Sequence, residues 1–451
     1  MSEHDVIVIG AGPAGEVCAG QLATEGLDVA LVERELVGGE CSFYACMPSK
    51  ALLRPGELLA ETQRVPGVRE LAKGELDPEI VLARRDEVIY HRDDSAHLPW
   101  LEERHIALVR GQARLDGERR VRVGDQVLVA SRAVVIAVGS GASMPPIPGL
   151  EEIAPWTNRQ ATTAESIPGW LTILGGGVVG CELAQAWSSI GSRVTIVEAL
   201  PRLLINEEPF ASEQLCDSLR GRGVDVLLEQ KAVAASRDDD REFTLELENG
   251  DRLRSDELLV AVGRRPHTDD LGLETIDLEP GATIAVDDRM RVPGRDWLYA
   301  IGDVNGRALL THAGKYQARV AAAQIVNRDV TARWDGPMTP RVVFTEPQIA
   351  AVGMTLDRAL KAGIKARAVD AEIAGTPGAS FVGKGAAASA RFVIDDDRRV
   401  LIGATFTGPE IAESLHAATV AVVGEVTIDR LAHAMPAFPT RSEFWLRLAE
   451  G

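Results

Sequence analysis

The stretch Asp5-Val-Ile-Val-Ile-Gly10-Ala-Gly12-Pro-Ala-Gly15 decides the fold of this chain. Its apolar run before Gly10 is typical of a strand buried in a parallel sheet. Gly10 permits a tight turn, Gly12 lets the backbone approach a pyrophosphate, and Gly15 allows the following helix to pack closely on the strand. The pattern predicts a strand, a glycine turn, a helix and a second strand within the first 33 residues.

An acidic residue ends that second predicted strand. Glu33 stands where a carboxylate can bind the 2′-hydroxyl of a ribose, and the helix N-terminus after the turn adds partial positive charge for phosphates. A glycine triad alone is weak evidence. The strand, the helix and the distal acid together favour a dinucleotide site.

The same arrangement returns in the middle of the chain. Leu171-Thr-Ile-Leu174 precedes Gly175-Gly-Gly177-Val-Val-Gly180, a helix is predicted over about residues 178–190, and Val194-Thr-Ile-Val-Glu198 follows. Two such units predict two dinucleotide sites. Glu198 favours NADH because a carboxylate repels the 2′-phosphate of NADPH. Arg193 and Arg202 flank Glu198, and the alternative is that it is a solvated strand end.

Two cysteines lie shortly after the first glycine loop, in Gly38-Gly-Glu-Cys41-Ser-Phe-Tyr-Ala-Cys46-Met-Pro-Ser-Lys50. If this stretch makes one helical turn, the two Cα atoms come within the roughly 7 Å that a disulfide allows. Reducing that disulfide takes two electrons, which a flavin beside it can deliver. We expect no metal site, since zinc sites usually show a second Cys/His pair nearby. Cys18, Cys181 and Cys216 lie in helical patterns and are expected to be buried, inert thiols.

Three charged residues are further candidates. Lys50 and Glu182 are predicted to act as a pair, because a cation near a flavin stabilises its anionic reduced form and a carboxylate holds that cation. The alternative is two unrelated surface charges. Asp303 follows the apolar segment 297–302 and is placed to bind ribityl hydroxyls, although an acid after a strand is also common in local turns.

Length and composition limit the possibilities. The 451 residues suggest about three domains. The net charge of −19 argues against nucleic acid or anionic membrane as a partner. Few cysteines, an odd number of them, and a strand almost at the N-terminus predict a cytoplasmic protein without a signal peptide, and no apolar run is long enough to span a membrane.

The predicted fold class is α/β, with boundaries that follow changes in the pattern. We expect an FAD-binding domain at 1–150, an NAD(P)-binding domain at 151–265 and a central segment at 266–336 that completes the FAD site. The prolines at 145–148 mark a hinge after the first domain. Residues 337–451 mix strands and helices, including helices at about 410–424 and 442–449, without a nucleotide loop, and are predicted to form an α+β interface domain.

Together these motifs resemble the class I flavoprotein disulfide reductases, the family of dihydrolipoamide dehydrogenase, glutathione reductase and mercuric reductase, over nearly the whole chain. The resemblance implies two Rossmann-like domains, for FAD and NAD, followed by a C-terminal dimerisation domain. It also implies a homodimer in which each active site borrows residues from the partner. Cys41 resembles the interchange thiol of the family, and Cys46 resembles the thiol that forms a charge-transfer contact with the flavin.

The resemblance also assigns candidate residues to each role. The catalytic candidates are Cys41, Cys46, Lys50, Glu182 and Glu443. The candidates for FAD binding are Gly10, Gly12, Pro13, Ala14, Gly15, Glu33, Arg34, Gly39, Glu40, Cys41, Lys50, Ala113, Ala137, Gly139, Asp303, Leu310, Thr311 and His312. The candidates for NAD(H) binding are Gly175, Gly177, Val178, Val179, Gly180, Glu198 and Gly263.

One departure from the family matters more than the matches. The disulfide reductases end with His-Pro-Thr-x-x-Glu, in which His exchanges protons with the thiols and Glu orients it. Here the segment is Phe438-Pro-Thr-Arg-Ser-Glu443, so Phe438 takes the place of the base. General acid–base catalysis is typically worth ~10²–10⁴-fold, so disulfide exchange is expected to be impaired. His433, five residues upstream, is a weaker substitute.

Three hypotheses remain. The favoured one is an FAD-dependent NAD(P)H oxidoreductase that passes electrons through the Cys41–Cys46 pair, or directly, to a quinone or another non-thiol electrophile. The alternative is a dihydrolipoamide dehydrogenase-like enzyme or low-molecular-weight disulfide reductase in which His433 or water replaces the base. The third is a flavoprotein scaffold whose turnover is incidental. Phe43 and Tyr44, between the cysteines, either contact a flat substrate or only pack. Mercury reduction is disfavoured because the C-terminus lacks a cysteine pair.

Overall fold

A computed structural model describes residues 1–238, 242–383 and 385–450. The chain divides into two compact units. The first comprises Met1–Pro48, Asp86–Ser143 and Arg264–Gly336, and the second Ser49–Arg85, Met144–Gly263 and Pro337–Gly451. The domain boundaries predicted above stay predictions.

Thirteen α-helices lie in the described part of the chain. In chain order they are α1 (Pro13–Thr24), α2 (Gly39–Phe43), α3 (Cys46–Arg64), α4 (Pro78–Val88), α5 (Leu98–Glu103), α6 (Asn158–Thr163), α7 (Val178–Ser189), α8 (Pro209–Gly221), α9 (Thr311–Ile325), α10 (Leu356–Lys361), α11 (Leu415–Val423), α12 (Ile428–Leu431) and α13 (Arg447–Glu450). Short 3-10 helices cover Tyr90–Arg92, Ser95–His97, Leu273–Ile276, Gly302–Asn305, Gly336–Met338, Pro377–Val382, Ile411–Ser414 and Arg441–Leu446. Among the described residues, no helix combines the length and the apolar character needed to cross a membrane.

The strands form five sheets in the described part of the chain. In chain order they are β1 (Ser2–Ile9), β2 (Val29–Glu33), β3 (Ala107–Arg110), β4 (Ala113–Leu115), β5 (Arg120–Val123), β6 (Gln126–Ile136), β7 (Ser140–Ala142), β8 (Trp170–Leu174), β9 (Arg193–Val197), β10 (Asp225–Leu227), β11 (Ala232–Arg237), β12 (Phe243–Leu247), β13 (Arg252–Ser255), β14 (Glu257–Val260), β15 (Arg264–Pro266), β16 (Leu298–Ala300), β17 (Arg341–Val343), β18 (Gln348–Gly353), β19 (Ala366–Glu372), β20 (Ser389–Asp395) and β21 (Val400–Gly408).

The first unit is built on a seven-stranded sheet in the order β3-β2-β1-β6-β5-β4, with β16 also pairing with β6. Strands β3, β2, β1, β6 and β16 run parallel to one another, while the pairs β4–β5 and β5–β6 are antiparallel. Alternate residues of β1 belong to different hydrophobic clusters. Val6 and Val8 pack in one cluster, and Ile7 and Ile9 pack in the other. Both faces of β1 are therefore covered, which explains its continuous apolar sequence.

The second unit repeats the parallel arrangement on a smaller scale. Its four-stranded sheet has the order β10-β9-β8-β14, and all of its pairs are parallel. A three-stranded antiparallel sheet, β11-β12-β13, is inserted in the chain between β10 and β14. The C-terminal part adds a five-stranded antiparallel sheet in the order β17-β18-β21-β20-β19. The unit therefore contains a Rossmann-like part and an α+β part, as the sequence predicts.

Two predicted helices near the C-terminus are shorter than expected. The helix predicted at about 410–424 is α11, preceded by the 3-10 turn Ile411–Ser414. The helix predicted at 442–449 is mostly the 3-10 helix Arg441–Leu446, and α13 adds one further turn. The 3-10 helix begins at a capping box, in which the Thr440 and Glu443 side chains each bond the other residue's backbone N–H.

Candidate active site

Both glycine loops place a glycine where no other residue fits. Gly10 has φ +101°, and a Cβ there would lie 2.5 Å from the carbonyl oxygen of Ala137. Gly175 has φ +111°, and its Cβ would lie 2.5 Å from the carbonyl oxygen of Ala261. Each turn is thus pressed against the end of a neighbouring strand, β6 or β14. The two loops have the same geometry, which the repeated sequence predicts.

The second glycine of each loop borders open space. Gly12 precedes α1 and Gly177 precedes α7, and a Cβ on either would meet nothing within 4 Å. Space directly before the N-terminus of a twelve-residue helix is what a pyrophosphate requires, because the backbone N–H groups there face it. The third glycines, Gly15 and Gly180, are closed, since a Cβ would collide with the carbonyl of Gly10 or Gly175.

A carboxylate from the adjacent strand fixes each loop. Glu33 accepts hydrogen bonds from the backbone N–H groups of Ala11 and Glu35, both at 2.7 Å. Glu198 accepts hydrogen bonds from Gly176 at 2.6 Å and Leu200 at 2.8 Å. These two bonds leave acceptor capacity on each carboxylate, which has about four lone-pair sites. Both acids are therefore suited to hold a ribose hydroxyl beside the loop.

The other predicted cofactor residues lie at recognisable points of the fold. Pro13 and Ala14 form the first turn of α1, and Gly39 packs on Gly12. Val178 and Val179 form the first turn of α7, and Gly263, with φ +148°, follows β14. The rest are Arg34, beside Glu35 and Gln112; Ala113, at the start of β4; Ala137 and Gly139, after β6; and Leu310, Thr311 and His312, at the start of α9.

The two cysteines of the predicted pair lie in the first unit and face a common threonine. Cys41 belongs to α2 and Cys46 begins α3, so the stretch does not form the single helical turn considered above. The helical backbone is interrupted at Tyr44, which has φ −135° and ψ −4°. The hydroxyl of Thr311 donates to Cys41 Sγ at 3.1 Å and lies 3.5 Å from Cys46 Sγ. The structure therefore brings the predicted thiols together, with Thr311 as their shared partner.

The surroundings of Cys41 act in opposite directions on its ionisation. A hydrogen bond with Cys46 raises the pKa of the Cys41 thiol, and burial and the charge of Cys46 raise it further. The hydrogen bond from Thr311 and the positive charge of Lys315, one turn along α9, lower that pKa. The two sulfurs are thus coupled, and the loss of a proton from one depends on the charge of the other.

One of the aromatic residues between the cysteines belongs to the core. Phe43 is 1% exposed, and its ring centroid lies 6.1 Å from that of His97. Contact between Phe43 and a flat substrate is therefore wrong as an expectation, since the ring faces the protein interior. Tyr44 is half-buried and ends α2.

Asp303 lies in a polar cluster of the first unit that sequence reasoning found only in part. Its carboxylate accepts a 2.6 Å hydrogen bond from Ser140 Oγ and lies 3.7 Å from Nε of Arg264. Arg264 also donates to Ser140 Oγ at 2.8 Å and to the Ser140 carbonyl at 2.5 Å, and it lies 3.8 Å from Glu40. Burial raises the pKa of Asp303, whereas Ser140 and Arg264 oppose that rise.

Sequence reasoning missed Ser140 and Arg264, although a signal was present. Each follows the glycine that ends a matched strand segment, Gly139 or Gly263. The antiparallel pair of β7 and β15 joins these two points of the chain. The similarity of the strand segments that end at Gly139 and Gly263 could therefore have suggested that Ser140 and Arg264 lie close together.

Lys50 and Glu182 form the predicted pair within the second unit. Lys50 Nζ donates to Glu182 Oε2 at 2.7 Å, and Glu182 is 3% exposed. The other carboxylate oxygen of Glu182 accepts the backbone N–H of Phe344 at 2.9 Å. The ring of Phe344 lies under the Lys50 ammonium, 4.9 Å from its centroid. The alternative of two unrelated surface charges is wrong, and Phe344 is a contact that the sequence did not reveal.

The C-terminal segment places Glu443 in a local role. Its carboxylate accepts the backbone N–H of Thr440 at 3.1 Å as part of the capping box. Phe438 is 75% exposed, and His433 is exposed in the turn after α12. Phe438, which the sequence comparison above aligns with the family base, is therefore an exposed aromatic ring without a titratable group.

Two nucleotide loops of one geometry, with a thiol pair following the first, define a class of redox enzyme that works with dinucleotides. The chain belongs to the pyridine nucleotide-disulphide oxidoreductases, since the model of that family matches residues 4–324. The dimerisation domain of the same family matches residues 339–449, which indicates a homodimer. Members of the family depend on FAD and use pyridine nucleotides, and the open glycine loops and their carboxylates fit both.

Named relatives span the full chain. It is 33% identical to a dihydrolipoyl dehydrogenase of Thermus scotoductus, over 100% of this chain and 97% of that protein. It is 31% identical to a mercuric reductase of Acidithiobacillus ferrooxidans, over 100% of this chain and 81% of that protein. A solved Cu(II) complex of the HOCl-induced flavoprotein disulfide reductase RclA from Escherichia coli matches with a TM-score of 0.85 and 25% identity, over 99% of both chains.

The open space at Gly177 predicts a selective defect. Gly177→Ala is expected to leave the melting temperature and the bound flavin unchanged, because a Cβ there meets no protein atom within 4 Å. It should raise the dissociation constant for NAD(P)H about tenfold or more by obstructing the pyrophosphate. Fluorescence titration measures the affinity. Gly180→Ala is the contrasting variant and should lower the melting temperature, and equal effects of both variants would contradict the prediction.

The cluster around Asp303 predicts a pH-dependent loss of flavin. Arg264→Gln removes a charge that lowers the pKa of Asp303, so that the carboxylate takes up a proton at a higher pH. A protonated Asp303 is a weaker acceptor for a cofactor hydroxyl. We therefore expect flavin retention on gel filtration to fall as the pH is lowered from 8 to 5, and to fall at a higher pH in the variant than in the unmodified protein.

The neighbouring Arg265 provides the matched control. It is exposed and lies 3.5 Å from Asp269, away from the cluster. Arg265→Gln should retain flavin as the unmodified protein does. If both variants lose flavin alike, or if Arg264→Gln loses it equally at every pH, the role assigned to Arg264 is wrong.

Proposed function

We propose that this protein is an NAD(P)H-dependent flavoprotein oxidoreductase that passes electrons to a non-thiol acceptor, with a quinone as the favoured class. The observation that carries the proposal is Phe438, an exposed ring beside Pro439 and Thr440, where the family pattern has its base. Thiol–disulfide exchange releases a thiolate, and a residue that protonates it speeds the reaction. A quinone has no leaving thiolate, so its reduction does not depend on such a residue.

Several residues of this chain support that function. A bound flavin would supply the chemistry of hydride acceptance from a nicotinamide and of electron release one or two at a time. The Lys50 ammonium is held by the buried Glu182 and is suited to stabilise developing negative charge nearby. Cys41 and Cys46 provide a reducible pair, and Asp303 and Glu33 provide acceptors for cofactor hydroxyls. These roles of individual residues are part of the proposal.

A second candidate is a dihydrolipoamide dehydrogenase-like or low-molecular-weight disulfide reductase. The 33% identity to a dihydrolipoyl dehydrogenase over the full chain favours it. In that case His433 or a water molecule would replace the missing base. The exposure of His433, in a turn five residues before Phe438, makes this the weaker candidate.

An acceptor panel separates the two candidates. With NADH as donor, benzoquinone and naphthoquinone should be reduced at least tenfold faster than lipoamide or glutathione disulfide. The panel includes Hg(II) and Cu(II), because the relatives' names include these metals. A disulfide that outpaces every quinone would overturn the proposal in favour of the second candidate.

Phe438→His tests whether the missing base limits disulfide exchange. We expect lipoamide reduction to rise about tenfold to a hundredfold, within the range of general acid–base catalysis, while quinone reduction changes little. Phe438→Leu is the matched control and should leave both rates low or unchanged, and His433→Ala tests the substitute. A large loss of lipoamide reduction in His433→Ala, without any gain in Phe438→His, would sink this interpretation.

We propose NADH as the preferred donor. Glu198 lies at the end of β9 beside the second glycine loop, where its charge opposes a 2′-phosphate. The flanking arginines have other partners. Arg202 binds the carbonyls of Leu204, Ile205 and Glu207, and Arg193 stacks on Trp170 and lies 3.4 Å from Asp225.

Glu198→Gln tests this preference. Removing the charge should lower the KM for NADPH about tenfold and raise the KM for NADH, because the ribose hydroxyls lose a charged acceptor. Flavin content should not change, since Glu198 belongs to the second loop. A wild-type enzyme that already prefers NADPH would contradict the proposed specificity.

Two further expectations stay proposals. The homodimer is proposed to complete each active site with residues of the partner, as the family resemblance implies. A cytoplasmic location is proposed because Cys18, Cys181 and Cys216 are buried and unpaired, which fits a reducing compartment.

A further inference from the structure

We propose that Cys46 serves as the internal base for Cys41, and that Thr311 and Lys315 stabilise the charge when it moves to Cys41. The proposal rests on the redox thiol pair of the proposed function, but not on the identity of the acceptor. It explains how a chain with Phe438 in place of the family base can still produce a nucleophilic thiolate at Cys41.

The contacts of Thr311 carry the inference. Its hydroxyl has a single proton and lies within reach of both sulfurs, 3.1 Å from Cys41 Sγ and 3.5 Å from Cys46 Sγ. It can donate to only one sulfur at a time. Rotation about its C–O bond therefore lets the same hydroxyl stabilise a negative charge on either cysteine.

The proton balance requires no outside base. Reduction of the disulfide by two electrons, with uptake of one proton, gives one thiol and one thiolate. The cysteines are hydrogen-bonded to each other, so the Cys41 S–H bond can break while a Cys46 S–H bond forms. No electron changes place in this step. The charge moves from Cys46 to Cys41, and the Thr311 O–H then donates to Cys41.

Lys315 stabilises a negative charge on Cys41. It lies four residues after Thr311 in α9, hence on the same face of the helix, and is half-buried. Its positive charge and the Thr311 hydrogen bond lower the pKa of the Cys41 thiol, against the larger rise that Cys46 and burial cause. On the helix of Cys41 itself, Glu40 opposes a thiolate, but its carboxylate lies 3.8 Å from the Arg264 guanidinium, which reduces that opposition.

The rate of alkylation of each cysteine as a function of pH tests the proposal. The holoenzyme is reduced anaerobically with dithiothreitol, desalted and treated with iodoacetamide from pH 5 to 10, and peptide mass spectrometry follows Cys41 and Cys46 separately. A shared charge predicts a low-pH plateau in the reactivity of Cys41, before the second ionisation of the pair. Onset of Cys41 reactivity only with the second ionisation would overturn the proposal.

Substitutions at three positions identify the partners. Lys315→Met should lower the plateau about threefold, as expected for the loss of one partly exposed charge, and Lys315→Arg should restore it. Thr311→Val should lower it about fivefold, the size of one hydrogen bond, and Thr311→Ser should restore it. In Cys46→Ser, Cys41 should follow a single ionisation without a plateau. A plateau that is unchanged in both Lys315→Met and Thr311→Val would refute the assignment.

The remaining thiols provide internal controls. Burial raises the pKa of Cys18 to about 12 and also raises the pKa of Cys181 and Cys216. These three cysteines should stay unmodified in the folded protein. Because alkylation requires no electron acceptor, its outcome is independent of the acceptor panel, so failure of one proposal is distinguishable from failure of the other.

Discussion

The bond between a strand-end carboxylate and the backbone of a glycine loop is the interaction on which both nucleotide sites depend. Glu33 holds the loop at Ala11, and Glu198 holds the loop at Gly176. A hydrogen bond to a charged group contributes about 1.5–3 kcal/mol, and its loss would leave a loop N–H unpaired. The same carboxylate therefore fixes the turn and keeps lone pairs that suit a ribose hydroxyl. In the proposed function, one residue thus couples folding of the loop to recognition of the ligand.

Much of this arrangement could be predicted from the sequence because it is local. Strand, turn, helix and distal acid lie within about 30 residues, and each glycine has its own steric reason. The repeat of that pattern fixed the expectation of two dinucleotide units, and the family match confirms the fold. The interruption of the helix at Tyr44 was not predicted, since the spacing of two cysteines is compatible with more than one backbone path.

What the sequence did not reveal consists mostly of contacts between distant residues. Arg264 reaches Ser140 across 124 positions, and Thr311 reaches Cys41 across 270. The backbone N–H of Phe344, 162 positions from Glu182, binds the Glu182 carboxylate. This bond places the Phe344 ring under the Lys50 ammonium. Such contacts depend on how strands and helices pack, which periodicity does not specify. Phe43 shows the same limit, because its sequence position did not distinguish a substrate contact from core packing.

The exposed ring of Phe438 and the contacts of the thiol pair are both consistent with electron transfer to an acceptor that releases no thiolate. A disulfide substrate requires a nucleophile at the start and, at the end, protons for the two thiolates that it releases. A proton shared between Cys41 and Cys46 supplies the first requirement within the protein, but it covers only one of those two thiolates. An acceptor that takes electrons without releasing a thiolate needs only the first. In the proposed function, a phenylalanine at position 438 therefore narrows the range of acceptors while leaving the upstream redox chemistry intact.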